Sequence, residues 1–249
     1  MGARELAEHL THRLIFRRRL PTEFGRLPLY VSTEAGLKYM TRRADLLDPV
    51  LLEVASTYVR PGMTVWDVGG NVGLFAFAAA ATVGPSGSIL AFEPDIWLCS
   101  LLRRSAKGKG ERSPVEIVPV AASSTNGLTG FNIAVRSRAT NFIDGFGTTQ
   151  TGGSRESLLV PTVTLDSVLD HRAAPDFVKI DVEGAEVLVL HGASKVLAHR
   201  PIVFCEVADE NSPEVTALFK SLGYRLHDAD LPNMPEVVSA PPALLALPE

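Results

Sequence analysis

Residues Thr64–Ala81, TVWDVGGNVGLFAFAAAA, decide the fold. A short apolar run, TVWDV, leads into a turn that holds Gly69, Gly70 and Gly73, and small and apolar residues follow from Leu74. This is the pattern of a strand, a tight glycine turn and a helix that the turn opens. Backbone N–H groups at such a helix N-terminus lack intrahelical partners and face whatever the turn encloses.

Downstream of this stretch the pattern alternates. Strands are predicted over 64–68, 88–92, 115–120, 176–181 and 201–207, and helices over 72–82, 95–106, 184–198 and 213–222. The runs SILAF, FVKI and IVFCEV are continuously apolar, as parallel strands covered on both faces must be. Alternation of this kind predicts a doubly wound α/β fold with a mostly parallel, Rossmann-like sheet. Two segments interrupt it, a strand pair over 129–135 and 157–165 around the loop RSRATNFIDGFGTTQTGGSRES. The Gly, Ser and Thr of that loop fit either a mobile lid or a plain surface excursion.

Upstream, residues 3–20 are predicted helical, ending in the cluster Arg17, Arg18 and Arg19, which is read as a solvated helix end or as a contact for an anionic partner. PLYVS, residues 28–32, is a short strand, and a helix runs from Pro49 to about Tyr58 behind the capping Asp48. The chain thus divides into an N-terminal helical extension, 1–60, and a cofactor-binding domain, 61–249, whose tail SAPPALLALPE is packed on the core or frayed.

The chain has 249 residues, 46% of them hydrophobic, with net charge −4. No global basic field points to nucleic acid. Cys99 and Cys205, in apolar contexts, read as reduced thiols. The N-terminus has no apolar signal core, and the longest apolar run, Val72–Val83, is too short to span a bilayer. A soluble cytoplasmic protein without a transmembrane segment is expected.

The turn has its own chemistry. The dinucleotide fingerprint G-x-G-x-x-G would fall on Gly69, Asn71 and Leu74, so only its first glycine is present. The pattern is instead D-x-G-x-N-x-G, from Asp67, Gly69, Asn71 and Gly73. An added acid and amide suit an ammonium-and-carboxylate head such as a methionine moiety. Glu93, twenty residues after Gly73, ends the second strand in AFEPD, where an acid accepts both hydroxyls of a ribose. NAD and adenosyl cofactors share that feature. The plainer alternative is a helix N-terminal acid ahead of Pro94 and Asp95. After the third strand comes AASS, whose Ala122 leaves room for an adenine ring and offers a backbone N–H.

Three motifs in order, VWDVGGNVG, AFEPD and DFVKIDVEGAEVLVLHGA, resemble those of the FkbM family of S-adenosylmethionine-dependent methyltransferases. VPVAAS, TLDSVL and IVFCEV look like weaker landmarks, and the resemblance covers roughly residues 60–210. It implies a class I methyltransferase fold, a seven-stranded sheet with its last strand antiparallel and helices on both faces. It implies S-adenosylmethionine as cofactor and O-methylation of a hydroxyl on a small molecule, polyketide or sugar, as in natural product biosynthesis. Carried over by position, Asp67, Gly69, Gly70, Asn71 and Gly73 surround the methionine end, Glu93 and Pro94 lie at the ribose, and Asp181 faces the sulfonium. Family members usually carry Ala where this chain has Gly70. Residues 1–60 and 136–156 carry no match, and acceptor choice is expected to reside there.

An aliphatic hydroxyl is a poor nucleophile, so a base or a metal should help remove its proton. Asp181 is the first base candidate and Glu183 the second; Glu206, at another strand end on the same edge, is the third and reads equally as a helix-adjacent surface acid. Asp181 reads equally as a cofactor-binding acid. Glu186, one helical turn beyond Glu183, reads as a shared-face or capping acid. Asp181, Glu183 and Glu206 together offer oxygen ligands to Mg²⁺, but no spacing motif demands a metal and no metal ligand is assigned. His191 reads as a packing or surface residue, and Phe142 and Phe146 as pocket or anchor residues. The competing functions are a nicotinamide-dependent oxidoreductase, disfavoured by the missing glycines, and a non-catalytic adenosyl-binding protein. Methylation of nucleobases is disfavoured because Asp181-Val182-Glu183-Gly184 lacks the Pro-Pro-aromatic grip for a planar amine. The expected partner is a small-molecule or glycan hydroxyl acceptor, with homo-oligomerisation left open.

Overall fold

A computed structural model describes residues 14–36, 39, 47–146 and 152–249. The first element is a hairpin. β1 (Ile15–Arg19) pairs antiparallel with β2 (Pro28–Ser32), placing Arg17 opposite Tyr30 and Arg19 opposite Pro28. This corrects the helix expected over 3–20 for its described part; residues 3–13 lie outside the described residues. β1 exposes Ile15, Arg17 and Arg19 and half-buries Phe16 and Arg18, a period of two. Pairing with the apolar PLYVS overrides the helix propensity of the arginines.

Helix α1 (Pro49–Thr57) begins as expected: the Asp48 side chain accepts the Leu51 N–H at 3.2 Å and Pro49 opens the first turn. Then come β3 (Thr64–Val68), α2 (Leu74–Val83), β4 (Ser88–Phe92), α3 (Ile96–Ala106) and β5 (Val115–Val118). The strands β3, β4 and β5 are parallel and in register, with Val68 beside Phe92 and Phe92 beside Val118.

The interruption is a second sheet. β6 (Ala121–Ala122), β7 (Gly127–Ala134), β8 (Phe142–Ile143) and β9 (Ser154–Val163) lie in the order β6-β9-β7-β8. The expected pair is β7–β9, antiparallel, with Phe131 opposite Leu158. Of the loop between them, residues 147–151 lie outside the described residues.

The chain returns through α4 (Leu165–Val168), β10 (Phe177–Ile180), α5 (Glu186–His191), α6 (Ser194–Ala198), β11 (Ile202–Glu206), α7 (Ser212–Ser221), β12 (Tyr224–Asp228), β13 (Glu236–Val237) and β14 (Ala243–Pro248). The single helix expected over 184–198 is two. Its break at Gly192 is held from outside: the Gly192 carbonyl accepts the Asp166 N–H at 2.9 Å, and Asp166 Oδ1 caps α6 by accepting the Lys195 and Val196 N–H groups.

The main sheet runs β13-β12-β14-β11-β10-β3-β4-β5, eight strands where seven were expected, the two-residue β13 being added at the β12 edge. β14 is antiparallel to both neighbours, Leu245 lying opposite Phe204 and His227, so the expected antiparallel last strand is present. The tail expected to be packed or frayed is therefore an interior strand. Alternate strand residues feed two cores. Val65, Ile89, Phe177, Phe204 and Leu245 pack under α1, α2 and α3, while Trp66, Leu90, Val178, Val203 and Leu244 pack under α5, α6 and α7. Burial on both faces explains why these strands read as unbroken apolar runs. The chain leaves β3 toward β4 on one side and enters β10 on the other, so the C-terminal ends of β3 and β10 flank the crevice where such sheets bind ligands.

Candidate active site

The crevice is built on close backbone approach. Gly69 has φ 80°, and a Cβ there would stand 1.8 Å from the Asp181 carbonyl oxygen. Only glycine lets the two strand ends meet. The Gly69 and Gly70 N–H groups both donate to the Phe92 carbonyl, at 3.0 and 2.8 Å, which ties the turn to β4. Gly70 is different. A Cβ there would lie 3.5 Å from Ala91 Cβ and 3.6 Å from the Phe92 carbonyl, ordinary contact distances, so alanine fits. Gly73, φ 90°, precedes α2 and is packed against Phe77 and Leu102.

Glu93 stands at the end of β4, 4% exposed. Its Oε2 accepts the Asn71 N–H at 2.7 Å and its Oε1 accepts the Asp95 N–H at 2.8 Å. One carboxylate thus links the glycine turn to the start of α3, whose N-cap is Asp95 itself. Burial pushes the Glu93 carboxyl up to about 8. Glu93, Pro94, Gly69, Asn71, Ala122 and Asp181 all line one cleft of about 610 Å³.

Lys179 was not among the residues singled out from sequence. It sits on β10 with 3% of its side chain exposed. Its Nζ donates to the Gly69 carbonyl at 2.8 Å and pairs with Asp181 Oδ2 at 3.0 Å. Nζ also stands 3.4 Å from Asp67 Oδ1, an ion-pair distance, and neither Asp67 oxygen has a hydrogen-bond partner among the described residues. Burial pulls the ammonium down, but Asp181, Asp67 and Glu206 more than offset this and hold it above its ordinary value. Burial pushes the Asp67 carboxyl up while Lys179 pulls it the other way. The signal in the sequence was a lysine inside a strand with no solvent face.

The acidic candidates converge. Asp67, Asp181, Glu183, Glu206 and Lys179 line an adjoining cleft of about 510 Å³ together with Asn71, whose buried Oδ1 also lacks a partner. Glu183 sits on the tight turn after β10 with φ 54°. Burial, then Asp181, Glu206 and Glu186, push its carboxyl up to about 8. Glu186 serves structure: its Oε1 accepts the Gly184 N–H and its Oε2 the Asn211 Nδ2–H, both at 2.7 Å. Among the described residues, no group of three or more His, Cys, Asp or Glu is arranged to hold a metal ion. His191 pairs with Glu214 at the surface, 3.1 Å apart and half exposed.

The second sheet covers the cleft. Arg138, from the loop before β8, donates to Glu34 Oε2 at 2.9 Å and Asp95 Oδ2 at 2.5 Å, and its guanidinium stacks 4.8 Å above the Trp97 ring. Asn141 Nδ2 donates to the same Asp95 oxygen at 3.0 Å, and Arg155 reaches Glu34 at 2.7 Å. Arg138, Asn141, Phe131 and Phe142 line the same cleft as Glu93. Phe146 packs instead against Gly184. The described start of the loop read as either a mobile lid or a surface excursion is thus pinned by ion pairs. Sequence reasoning missed Arg138 and Asn141, because nothing local marks a long-range pair with Asp95.

Among solved structures, the chain is similar to a methyltransferase FkbM from Methylobacillus flagellatus KT, with 13% identity and TM-score 0.48 over 82% of this chain and 54% of that one. It therefore spans about half the length of that protein. It is also similar to a precorrin-6y C5,15-methyltransferase from Geobacter metallireducens GS-15, with 12% identity and TM-score 0.44 over 80% and 85% of the two chains. A third is a fibrillarin from Aeropyrum pernix in complex with S-adenosyl-L-methionine, with 10% identity and TM-score 0.47 over 94% and 83%. No match was found among curated proteins. The family model described as the Methyltransferase FkbM domain matches residues 67–226, from Asp67 at the glycine turn through Leu226 in β12, and the chain belongs to the FkbM methyltransferase family.

Proposed function

We propose that this protein is an S-adenosylmethionine-dependent O-methyltransferase acting on a hydroxyl of a small molecule, polyketide or sugar. The observation that carries the reading is Glu93. It is a buried carboxylate at the end of β4, lining a cleft whose floor is the glycine turn. Each of its oxygens accepts one backbone N–H and keeps acceptor capacity for a ribose hydroxyl. The buried Asn71 Oδ1, without a hydrogen-bond partner, and the Asp67 carboxyl, ion-paired to Lys179 but not hydrogen-bonded, support an amino group beside the turn, as a methionine moiety carries. Small residues at Ala121 and Ala122 leave that wall open to a planar ring.

In this reading Asp67, Gly69, Gly70, Asn71 and Gly73 hold the methionine end, Glu93 and Pro94 the ribose, and Ala122 the adenine. When bound, the cofactor supplies an electrophilic methyl group. The protein positions the acceptor and manages its proton. Glu183 is the favoured base, because a carboxyl held at about 8 takes a proton from a hydroxyl more readily than an ordinary one. Asp181, gripped by Lys179 at 3.0 Å, orients the site, and Glu206 adds negative charge at its rim. No step is assigned to a metal.

The test is incubation with methyl-labelled S-adenosylmethionine and a panel of hydroxylated small molecules and sugars, with RNA in parallel. Label on an acceptor oxygen supports the proposal. Label only on carbon, nitrogen or RNA contradicts it.

A further inference from the structure

We propose that the face formed by β1 and the C-terminal end of α3 is a docking surface for an anionic lipid bilayer. The hairpin register puts Arg17 on the same face as Tyr30 and Arg19 on the same face as Pro28. The C-terminal end of α3 packs against that face. The Arg104 guanidinium lies 4.2 Å over the Tyr30 ring, the Tyr30 N–H donates to Ser105 Oγ at 2.9 Å, and Gly108 is pressed on Pro28, where a Cβ would stand 2.2 Å from Cγ. Arg17, Arg19, Arg103, Arg104, Lys107 and Lys109 are exposed and contiguous through these contacts. None of them forms an ion pair with a described carboxylate, and the acids of the same segments, Glu23 and Glu111, are exposed and unpaired with them. A chain of net charge −4 thus gathers a block of its cations on one face.

That block lies away from the chemistry. α3 starts at Ile96, just past the cleft-lining Glu93 and Pro94, and ends at Ala106, about 16 Å along its axis, so these cations do not reach the cofactor cleft. Two exposed apolar side chains flank the arginines, Leu14 at 48% and Ile15 at 41% exposure. Apolar tips among cations suit the boundary between lipid headgroups and acyl chains. A nucleic acid would favour open aromatic rings for stacking, whereas Tyr30 is covered by Arg104 and Phe16 is half-buried. No described helix is long and apolar enough to cross a membrane, and the contact proposed is peripheral.

The test is co-sedimentation of the full chain with vesicles of phosphatidylcholine alone and of phosphatidylcholine mixed with phosphatidylglycerol. The protein should sediment with the mixed vesicles only and be released by salt. The variant Arg17→Gln/Lys107→Gln/Lys109→Gln should bind them about a hundredfold more weakly, about fivefold per cation, with its melting temperature unchanged. Ile15→Ser, which keeps every charge, should also weaken binding. Failure to bind the mixed vesicles, equal binding by the triple variant, or capture of a single-stranded RNA in preference to vesicles would overturn the proposal.

Discussion

Lys179 Nζ pairs with Asp181 Oδ2 at 3.0 Å from a strand position where its side chain is 3% exposed. The same ammonium sits 3.4 Å from the fully buried Asp67 and caps the Gly69 carbonyl. One buried cation thus fixes the acids on both sides of the crevice. Lys179→Met should destabilise the protein by about 3–5 kcal/mol, because Asp67 is left as an uncompensated buried acid. The double variant Lys179→Met/Asp67→Asn should recover part of that loss. Denaturant unfolding of the four proteins in the cycle measures it.

The two adjacent glycines should behave oppositely. Gly69→Ala drives a Cβ into the Asp181 carbonyl at a positive φ, so it should abolish cofactor binding and lower the melting temperature sharply. Gly70→Ala meets only ordinary contacts and should stabilise by about 0.4–1 kcal/mol through the unfolded chain. Thermal melts and calorimetry on both variants check the contrast.

Stability of the cofactor-free protein should fall as pH rises. Burial holds Glu93 and Glu183 at about 8 in the folded state, against 4.5 as the ordinary value. Between those limits the folded state binds more protons than the unfolded one, so the contribution of each group is complete below about pH 4.5 and is lost as pH rises through about 8. Melting temperatures at pH 6, 7 and 8.5 should decline in that order. Replacing Glu183 with Gln should remove part of the decline.

If Glu183 takes the acceptor proton, turnover should rise with pH and level off above about 8. Glu183→Gln should flatten that limb and reduce turnover by about 10²–10⁴-fold while leaving cofactor affinity intact. Retention of the limb in Glu183→Gln would remove Glu183 from that role.

Arg138 ties Glu34 to Asp95 across the cleft wall, with both carboxylates nearly buried. Arg138→Ala should cost about 3 kcal/mol and weaken cofactor binding, since Asp95 also donates its N–H to Glu93. Arg138→Lys should rescue little, because a point charge cannot span both acids and stack on Trp97.

The parts of this architecture that sequence reveals are those set by local pattern. β3, β4, β10 and β11 were legible because burial on both faces makes them continuously apolar, and the glycine turn because backbone sterics demand Gly69 and Gly73. What stayed hidden depends on partners distant in the chain. Ile15–Arg19 is a strand only because Pro28–Ser32 pairs with it, and its arginines gave it a helical look. Ala243–Pro248 carries proline-rich flanks that suggest a frayed tail, yet it fills the gap between β11 and β12. Asp67, Glu93 and Asp181 were found by their place at strand ends. Lys179 and Arg138 were not, since a buried cation shows itself only through the acids that surround it.

Calorimetric titration with S-adenosylmethionine, S-adenosylhomocysteine and NADH decides whether the turn and Glu93 hold an adenosyl cofactor. Saturable binding of the first two, no binding of NADH, and a loss of about tenfold or more in Glu93→Ala are predicted. Binding of NADH, or no adenosyl binding at all, would rule that cofactor out and leave only the fold.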